Sequence, residues 1–321
     1  MKCLVYNSKS ETSSFREKIE KTFTNPILPN RVERSEFNYG GVICDVLAPE
    51  IYISNRVVLY IHGGSFVGGS RASWRVFCSS LAAKSCSRVV LPEFRLAPNH
   101  PYPAALEDIQ SVFRSLFTEE QVASALERNE KGEKLMPEII IAADGSGASI
   151  ALALLFNLRD KYRACISHVV LFSPWLDLSP ESKIIQAKKM SDDITSSDVL
   201  RKSVSVYTYA ANTSSPLVSP LLATDEQLSN FPPVFIQMGQ DEILCQDAEA
   251  FVKRLKELGN EAELDLWSDM MFMFQFADEF LHESHLALDK VGKVITAKVR
   301  TKDDLEVENK PRLEKSIHAE A

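Results

Sequence analysis

A strand, a tight turn and a helix of small residues meet at Ala143-Asp144-Gly145-Ser146-Gly147. The apolar run 138–143 is typical of a strand buried on both faces of a parallel sheet, and a helical pattern follows the turn. In acyl-transfer chemistry such a turn holds a nucleophile at its centre, with small residues two positions before and after it. Ala143 and Gly147 meet that demand around Gly145, which has no side chain. The turn is therefore predicted to lack a nucleophile.

Ser146 offers the alternative register for this turn. With Ser146 at the centre, Asp144 would be a flanking residue, and an aspartate is too large and too polar for the point where strand and helix cross. Gly145 suits the centre because glycine adopts positive φ freely, whereas serine there would store about 1–3 kcal/mol of strain. We expect the Ser146 amide to face a ligand and its side chain to start the helix. Ser146 stays the alternative nucleophile.

A second glycine-rich turn, His62-Gly63-Gly64-Ser65-Phe66, closes the first buried strand. Glycines let the backbone direct its N–H groups towards a ligand, which is the geometry that an oxyanion hole requires. On its own this short motif has low specificity. It indicates a candidate site for a carbonyl or carboxylate oxygen.

Apolar strand-like runs alternate with helical patterns through most of the chain. This alternation predicts a doubly wound α/β sheet that is mostly parallel. The predicted strands are 56–62, 88–92, 138–143, 167–172, 233–238 and 261–267, and the predicted helices are 72–84, 103–117, 149–162 and 246–258. The earlier segment 41–48 is predicted to be an antiparallel edge strand.

Two segments fall outside the alternation, namely residues 1–40 and the polar stretch near 180–223. Open α/β sheets hold their ligands at the carboxyl ends of the strands, so both segments are predicted to form a helical cap there. Residues 41–300 would then form the main domain, which contains the second cap segment. The charged tail 301–321 has few large apolar residues and is predicted to be disordered.

Composition argues against several classes of function. The 321 residues carry a formal charge of −8 without a basic stripe, so nucleic acid is not an expected partner. The six cysteines show no Cys-x-x-Cys spacing, and neither a metal site, a disulfide framework nor a cofactor is expected. No run approaches the ~20 apolar residues that span a bilayer, and the first ten residues lack the apolar segment of a signal peptide. The cytosol is the expected compartment.

Two longer motifs support the functional interpretation of the glycine-rich turns. They are Arg95-Leu96-Ala97-Pro98, followed by Pro103-Ala104-Ala105-Leu106-Glu107-Asp108, and Ser173-Pro174-Trp175-Leu176-Asp177-Leu178. Together with His62-Gly63-Gly64 they closely resemble the hormone-sensitive-lipase-like branch of the α/β-hydrolases. The resemblance covers about residues 56–298 and implies an α/β-hydrolase fold with carboxylesterase or lipase activity. It implies a triad of serine, acid and histidine in that chain order, and oxyanion donors at Gly63, Gly64 and Ser146.

When the triad of the family is transferred to this chain residue by residue, one of its three members is retained. The loop Gly239-Gln240-Asp241-Glu242 matches the acid loop of the family and places Asp241 in the acid position. Aligned on Trp267, the base position holds Phe272, and the nucleophile position holds Gly145. Triad chemistry needs a hydroxyl within hydrogen-bond reach of an imidazole, so these two positions are predicted to be catalytically silent.

Other side chains are weaker candidates for the missing groups. His282 follows Phe272 by ten residues, which is about 15 Å along a helix and too far for a direct replacement. His62 lies beside the site, but the resemblance gives it a supporting role in the oxyanion loop.

These observations favour a catalytically degenerate carboxylesterase homologue. It would retain the oxyanion loop and the pocket, and would bind a small apolar ligand that is ester-like or carries a carboxylate. The positive end of the helix after Gly147 would attract the ligand oxygen. Two alternatives stay open: a weak carboxylester hydrolase that uses Ser146 or the oxyanion hole alone, and a protein-interaction scaffold.

Overall fold

A computed structural model describes residues 2–6, 11–25, 27–28, 31–126, 128, 132 and 135–297. The tail 301–321, for which the sequence predicts disorder, lies outside the described residues. No helix within these described ranges is long and apolar enough to cross a membrane.

One sheet of eight strands forms the centre of the molecule. The strands are β1 (Glu33–Tyr39), β2 (Val42–Ala48), β3 (Arg56–Ile61), β4 (Arg88–Pro92), β5 (Glu138–Asp144), β6 (Ile166–Phe172), β7 (Val234–Gly239) and β8 (Ala262–Trp267). Their spatial order is β1-β2-β4-β3-β5-β6-β7-β8. The pairs β1–β2 and β2–β4 are antiparallel and all others are parallel. The α/β-hydrolase sheet that the sequence predicts is confirmed.

Helices connect the strands and pack against the sheet. They are α1 (Thr12–Phe23), α2 (Arg71–Ser85), α3 (Ala104–Leu126), α4 (Gly145–Asn157), α5 (Asp160–Arg163), α6 (Lys183–Gln186), α7 (Ser197–Tyr207), α8 (Asp225–Leu228), α9 (Cys245–Glu257) and α10 (His282–Thr296). Short 3₁₀ helices occur at Lys2–Leu4, Ala210–Asn212, Pro220–Leu222 and Phe274–Ala277. Helix α3 runs well past the predicted end at residue 117.

The prediction for the amino-terminal side of the sheet is wrong in one respect. The segment 41–48 is not an edge strand, because β2 pairs with β1 on one side and with β4 on the other. Residues 33–39, which the sequence assigns to the cap segment, form the edge strand instead. The pattern misses β1 because Tyr39 is its only buried residue, so the strand has no apolar face to recognise.

The buried strands bring the candidate residues to one edge of the sheet. Strands β3 and β7 are buried along their whole length, and β5 along all but its first residue. Their carboxyl ends lie together because the strands are parallel. The residues that directly follow these strands are His62, Gly145 and Gln240, and Gly145 is the first residue of α4.

Both segments assigned to the cap contact the loop that follows β3. In the first segment, Arg16 donates hydrogen bonds to the carbonyl of Val67 at 2.7 Å and to that of Ala97 at 3.0 Å. In the second, the ring of Tyr207 stacks on Phe66 with centroids 3.8 Å apart. The loop is therefore held between α1 and α7.

Candidate functional site

The turn between β5 and α4 has the backbone geometry of a turn that presents a nucleophile. Strand β5 ends at Asp144, helix α4 begins at Gly145, and Gly145 has φ +46°. This is the left-handed region, which strains any residue with a side chain. Gly147 packs against the carbonyl groups of Ile61 and His62 so closely that a Cβ atom would collide with them. Small residues thus let helix and strand cross here, and the central position carries no hydroxyl.

Phe272 fills the space in front of Gly145. Its side chain is buried, and its Cζ atom lies 3.2 Å from the position that a Cβ atom would have on Gly145. The structure therefore brings the two residues that the sequence assigns to the nucleophile and base positions into direct contact. A phenyl ring cannot accept a proton, so this pair has no nucleophile–base chemistry.

The Ser146 side chain belongs to the wall of the site. Its Oγ atom is buried and accepts a hydrogen bond from the backbone amide of Phe66 at 3.0 Å. This contact ties the start of α4 to the loop after β3. The hydroxyl is engaged with the backbone and not with an imidazole.

The His62 ring supports the same loop. Its Nδ1 atom lies 2.8 Å from the Gly63 carbonyl oxygen, and the ring stacks on Phe94 with centroids 4.3 Å apart. Burial lowers the pKa of His62 to about 4, so the imidazole is neutral at pH 7. The contacts of this ring are structural.

Asp144 gathers three donors beneath the loop. Its Oδ1 atom accepts hydrogen bonds from the Tyr60 hydroxyl at 2.9 Å, the Trp74 indole at 2.8 Å and the Gly63 amide at 2.9 Å. Burial raises the pKa of Asp144 to about 7, although the three hydrogen bonds oppose that shift. The Gly63 amide is therefore occupied by Asp144, and the sequence-based assignment of Gly63 as an oxyanion donor does not fit the structure. Gly64 follows it with φ +99°.

The acid loop presents a different carboxyl group from the one that the alignment selects. Asp241 is exposed, whereas its neighbour Glu242 is buried. Glu242 Oε1 accepts hydrogen bonds from the Ser173 hydroxyl at 2.8 Å and from the Gly239 amide at 2.6 Å. Burial raises the pKa of Glu242 to about 8, so the group is mainly protonated at pH 7. Adjacent acidic residues give no signal in the sequence that tells which one points inward.

Two of the buried polar atoms without a hydrogen-bond partner among the described residues are Trp175 Nε1 and Glu242 Oε2. The Trp175 indole nitrogen lies 3.9 Å from the Cβ position of Gly145, and the backbone amide of Trp175 donates to the Gly145 carbonyl at 3.0 Å. A buried donor without a partner costs about 1–3 kcal/mol. The indole N–H is thus available to an acceptor atom placed beside Gly145.

The site therefore contains the indole N–H of Trp175 and two buried carboxyl groups, those of Asp144 and Glu242. Within the described ranges no group of three or more His, Cys, Asp and Glu side chains could hold a metal ion. The indole N–H of Trp175 is a donor without a partner among the described residues, to which an oxygen atom beside Gly145 could bind.

The chain is similar to known esterases in sequence and in structure. A family described as alpha/beta hydrolase fold matches residues 58–276. An esterase of Acinetobacter venetianus is 29% identical over 246 residues, which cover 76% of each chain. An acetyl-hydrolase of Streptomyces hygroscopicus is 29% identical over 239 residues, which cover 74% of each chain. The crystal structure of an esterase from the bacterial hormone-sensitive lipase family superimposes with a TM-score of 0.77 at 27% identity, covering 90% of this chain and 92% of that one.

Proposed function

This chain belongs to the α/β-hydrolase family, in its hormone-sensitive-lipase-like branch, and we propose that it binds a small carbonyl or carboxylate compound without hydrolysing an ester. One observation carries the proposal. The indole N–H of Trp175 is buried without a partner among the described residues, 3.9 Å from the Cβ position of a residue that has no hydroxyl. An oxygen acceptor bound there would satisfy this donor.

The absence of a nucleophile–base pair supports binding over turnover. Gly145 cannot attack a carbonyl, Phe272 cannot take a proton, and the Ser146 hydroxyl is engaged by the Phe66 amide. A hydrolase that has lost its triad residues keeps only roughly 10³–10⁴-fold acceleration over water from its oxyanion hole and binding groups. Such residual turnover would be slow relative to dissociation of a small ligand.

The ligand that fits is a small apolar molecule with one exposed oxygen. Its oxygen would accept from Trp175 and from the amides at the start of α4, where the helix dipole favours negative charge. Its apolar part would displace the Phe272 ring, because 3.2 Å leaves no room between that ring and a group on Gly145. Glu242 is mainly protonated at pH 7 and does not repel a carboxylate.

All six cysteines are free, in accord with the cytosolic setting that we propose.

The Trp175 indole proton provides a direct test. The chain has three tryptophans, and the other two indole N–H groups already donate to Asp144 and Asp265. Titration with butyrate, hexanoate and phenylacetate, followed by ¹H–¹⁵N correlation spectra, should shift the Trp175 indole signal saturably and leave those of Trp74 and Trp267 in place.

Trp175→Phe is the matched variant, because it keeps an aromatic ring and removes the donor. It should weaken binding of the best carboxylate by about tenfold. Spectra in which the Trp175 signal shows no saturable shift with any of these compounds, or equal affinity in Trp175→Phe, would overturn the proposal.

A further inference from the structure

A cavity lies at the far end of α4 from Gly145. It has a volume of about 240 Å³ and is lined by residues of α3, α4, α5 and the link between α4 and α5. Helix α4 runs from Gly145 to Asn157, so the cavity is about 18 Å along the helix axis from the turn at Gly145, which we call the elbow. It is therefore separate from the site described above.

Two guanidinium groups from different elements face this cavity. Arg114 comes from the middle of α3, and Arg159 from the link before α5. Neither guanidinium makes an ion pair or a hydrogen bond within the described ranges, whereas every other arginine there has a carboxylate or carbonyl partner. The two unpaired arginines of the described chain thus line the same cavity.

The surroundings of the two arginines favour an anion. No Asp or Glu lines the cavity, although the chain as a whole carries a formal charge of −8. The side-chain amides of Gln110 and Asn157 add uncharged donors to the lining. The Lys161 ammonium group lies 4.6 Å from the centroid of the Tyr162 ring, which also lines the cavity. Positive charge is concentrated here on an otherwise acidic protein.

The size and the apolar lining of the cavity indicate which kind of ligand it can hold. A water molecule's share of liquid volume is about 30 Å³, so 240 Å³ holds more than a single inorganic anion. Leu154, Leu158 and the Tyr162 ring provide apolar surface beside the charged groups. A molecule that fills the cavity therefore combines an anionic group with an apolar body.

We propose that this cavity binds a small phosphomonoester with an aromatic or other apolar body. A phosphate monoester carries about −1.5 to −2 charges at pH 7, which matches two guanidinium groups. The planar donor fork of arginine pairs with phosphate oxygens through two parallel hydrogen bonds. The apolar body lies against Tyr162 and Leu158.

Phenyl phosphate is the probe for this site, with ³¹P NMR titration of the full chain as the readout. It should bind saturably, inorganic phosphate should bind more weakly, and an excess of phenol should not displace the bound phenyl phosphate. The Trp175 indole signal should stay unchanged during the titration, since the elbow lies at the other end of α4.

Arg114→Gln combined with Arg159→Gln should weaken phenyl phosphate binding at least tenfold. The control removes two positive charges elsewhere, by Arg31→Gln and Lys253→Gln, whose side chains are 88% and 77% exposed. Binding that is equally weakened in both double variants would show general charge attraction only and would overturn the proposal. Absence of saturable binding to the unmodified protein would do so as well.

Discussion

The Phe66 amide donates its hydrogen bond to Ser146 Oγ at 3.0 Å, across 80 residues of sequence. This bond joins the two glycine-rich turns that would act together in an esterase. It also gives the Ser146 hydroxyl a structural partner in place of a catalytic one. Ser65 and Phe66 both have positive φ, at 60° and 64°, so the loop that Ser146 holds is strained.

Replacement of Ser146 by alanine should reduce stability and leave ester hydrolysis unchanged. The variant leaves the buried Phe66 amide without a partner, which costs about 1–3 kcal/mol. Urea denaturation would measure the loss, and p-nitrophenyl acetate hydrolysis would measure activity, each beside Ser111→Ala, where the lost bond is a local contact within α3. Turnover above background that vanishes in Ser146→Ala would instead identify Ser146 as a nucleophile and contradict the proposed binding function.

Replacement of Phe272 by alanine should destabilise the protein and open the elbow. Removal of a buried phenylalanine side chain typically costs about 3–5 kcal/mol. The affinity for the carboxylate ligand should rise, because no ring then has to be displaced from Gly145. Phe280→Ala is the control, since that ring is 88% exposed and its removal should change stability by no more than about 0.5 kcal/mol. Equal stability of the two variants would show that Phe272 is not packed over Gly145.

Glu242 should make the protein less stable as the pH rises. Its pKa is about 8 in the folded protein, above its ordinary value of 4.5, so between these values the folded state retains a proton that the unfolded state has lost. The free energy of unfolding then falls by up to about 1.4 kcal/mol per pH unit over this range and levels off above pH 8.

Glu242→Gln should flatten this pH dependence in thermal denaturation between pH 5 and 9. The slope should not vanish, because Asp144 and Asp247, whose pKa values burial raises to about 7, contribute with the same sign. Asp241→Asn changes an exposed carboxyl group and should leave the slope unchanged. A larger effect of Asp241→Asn than of Glu242→Gln would reverse the assignment of the buried acid.

Restoration of both missing groups should create esterase activity. Gly145→Ser combined with Phe272→His places a hydroxyl and an imidazole at positions that are in contact in this structure. We expect hydrolysis of p-nitrophenyl acetate by the double variant and by neither single variant. A folded double variant without turnover would contradict the placement of Phe272 at the base position.

The acid that serves this restored pair can be identified in the same assay. At pH 9, where Glu242 is mainly ionised because its pKa is about 8, addition of Glu242→Gln should lower kcat by a hundredfold or more, since loss of the orienting carboxylate is severe in triads. Addition of Asp241→Asn should have little effect, because that side chain is exposed. The opposite order of effects would make Asp241 the working acid.

Local patterns determined most of the fold and part of the site. Strands such as β3 and β5 are buried along nearly their whole length, so burial leaves continuous apolar runs that can be recognised from the chain alone. The register of the elbow could also be predicted, because the need for small residues around Gly145 is a local steric rule. Strand β1 was not predicted, because its exposed residues show no such apolar pattern.

Only the tertiary structure decided which groups face one another. The Gly63 amide donates a hydrogen bond to Asp144, which lies 81 residues further along the chain. Glu242, and not Asp241, accepts a hydrogen bond from Ser173, which lies 69 residues earlier. Hydrogen-bond partners of this kind depend on side-chain direction at the ends of separate strands, which no local pattern encodes. The sequence therefore determined the frame and its missing hydroxyl, whereas packing decided which donors and acids are left for a ligand.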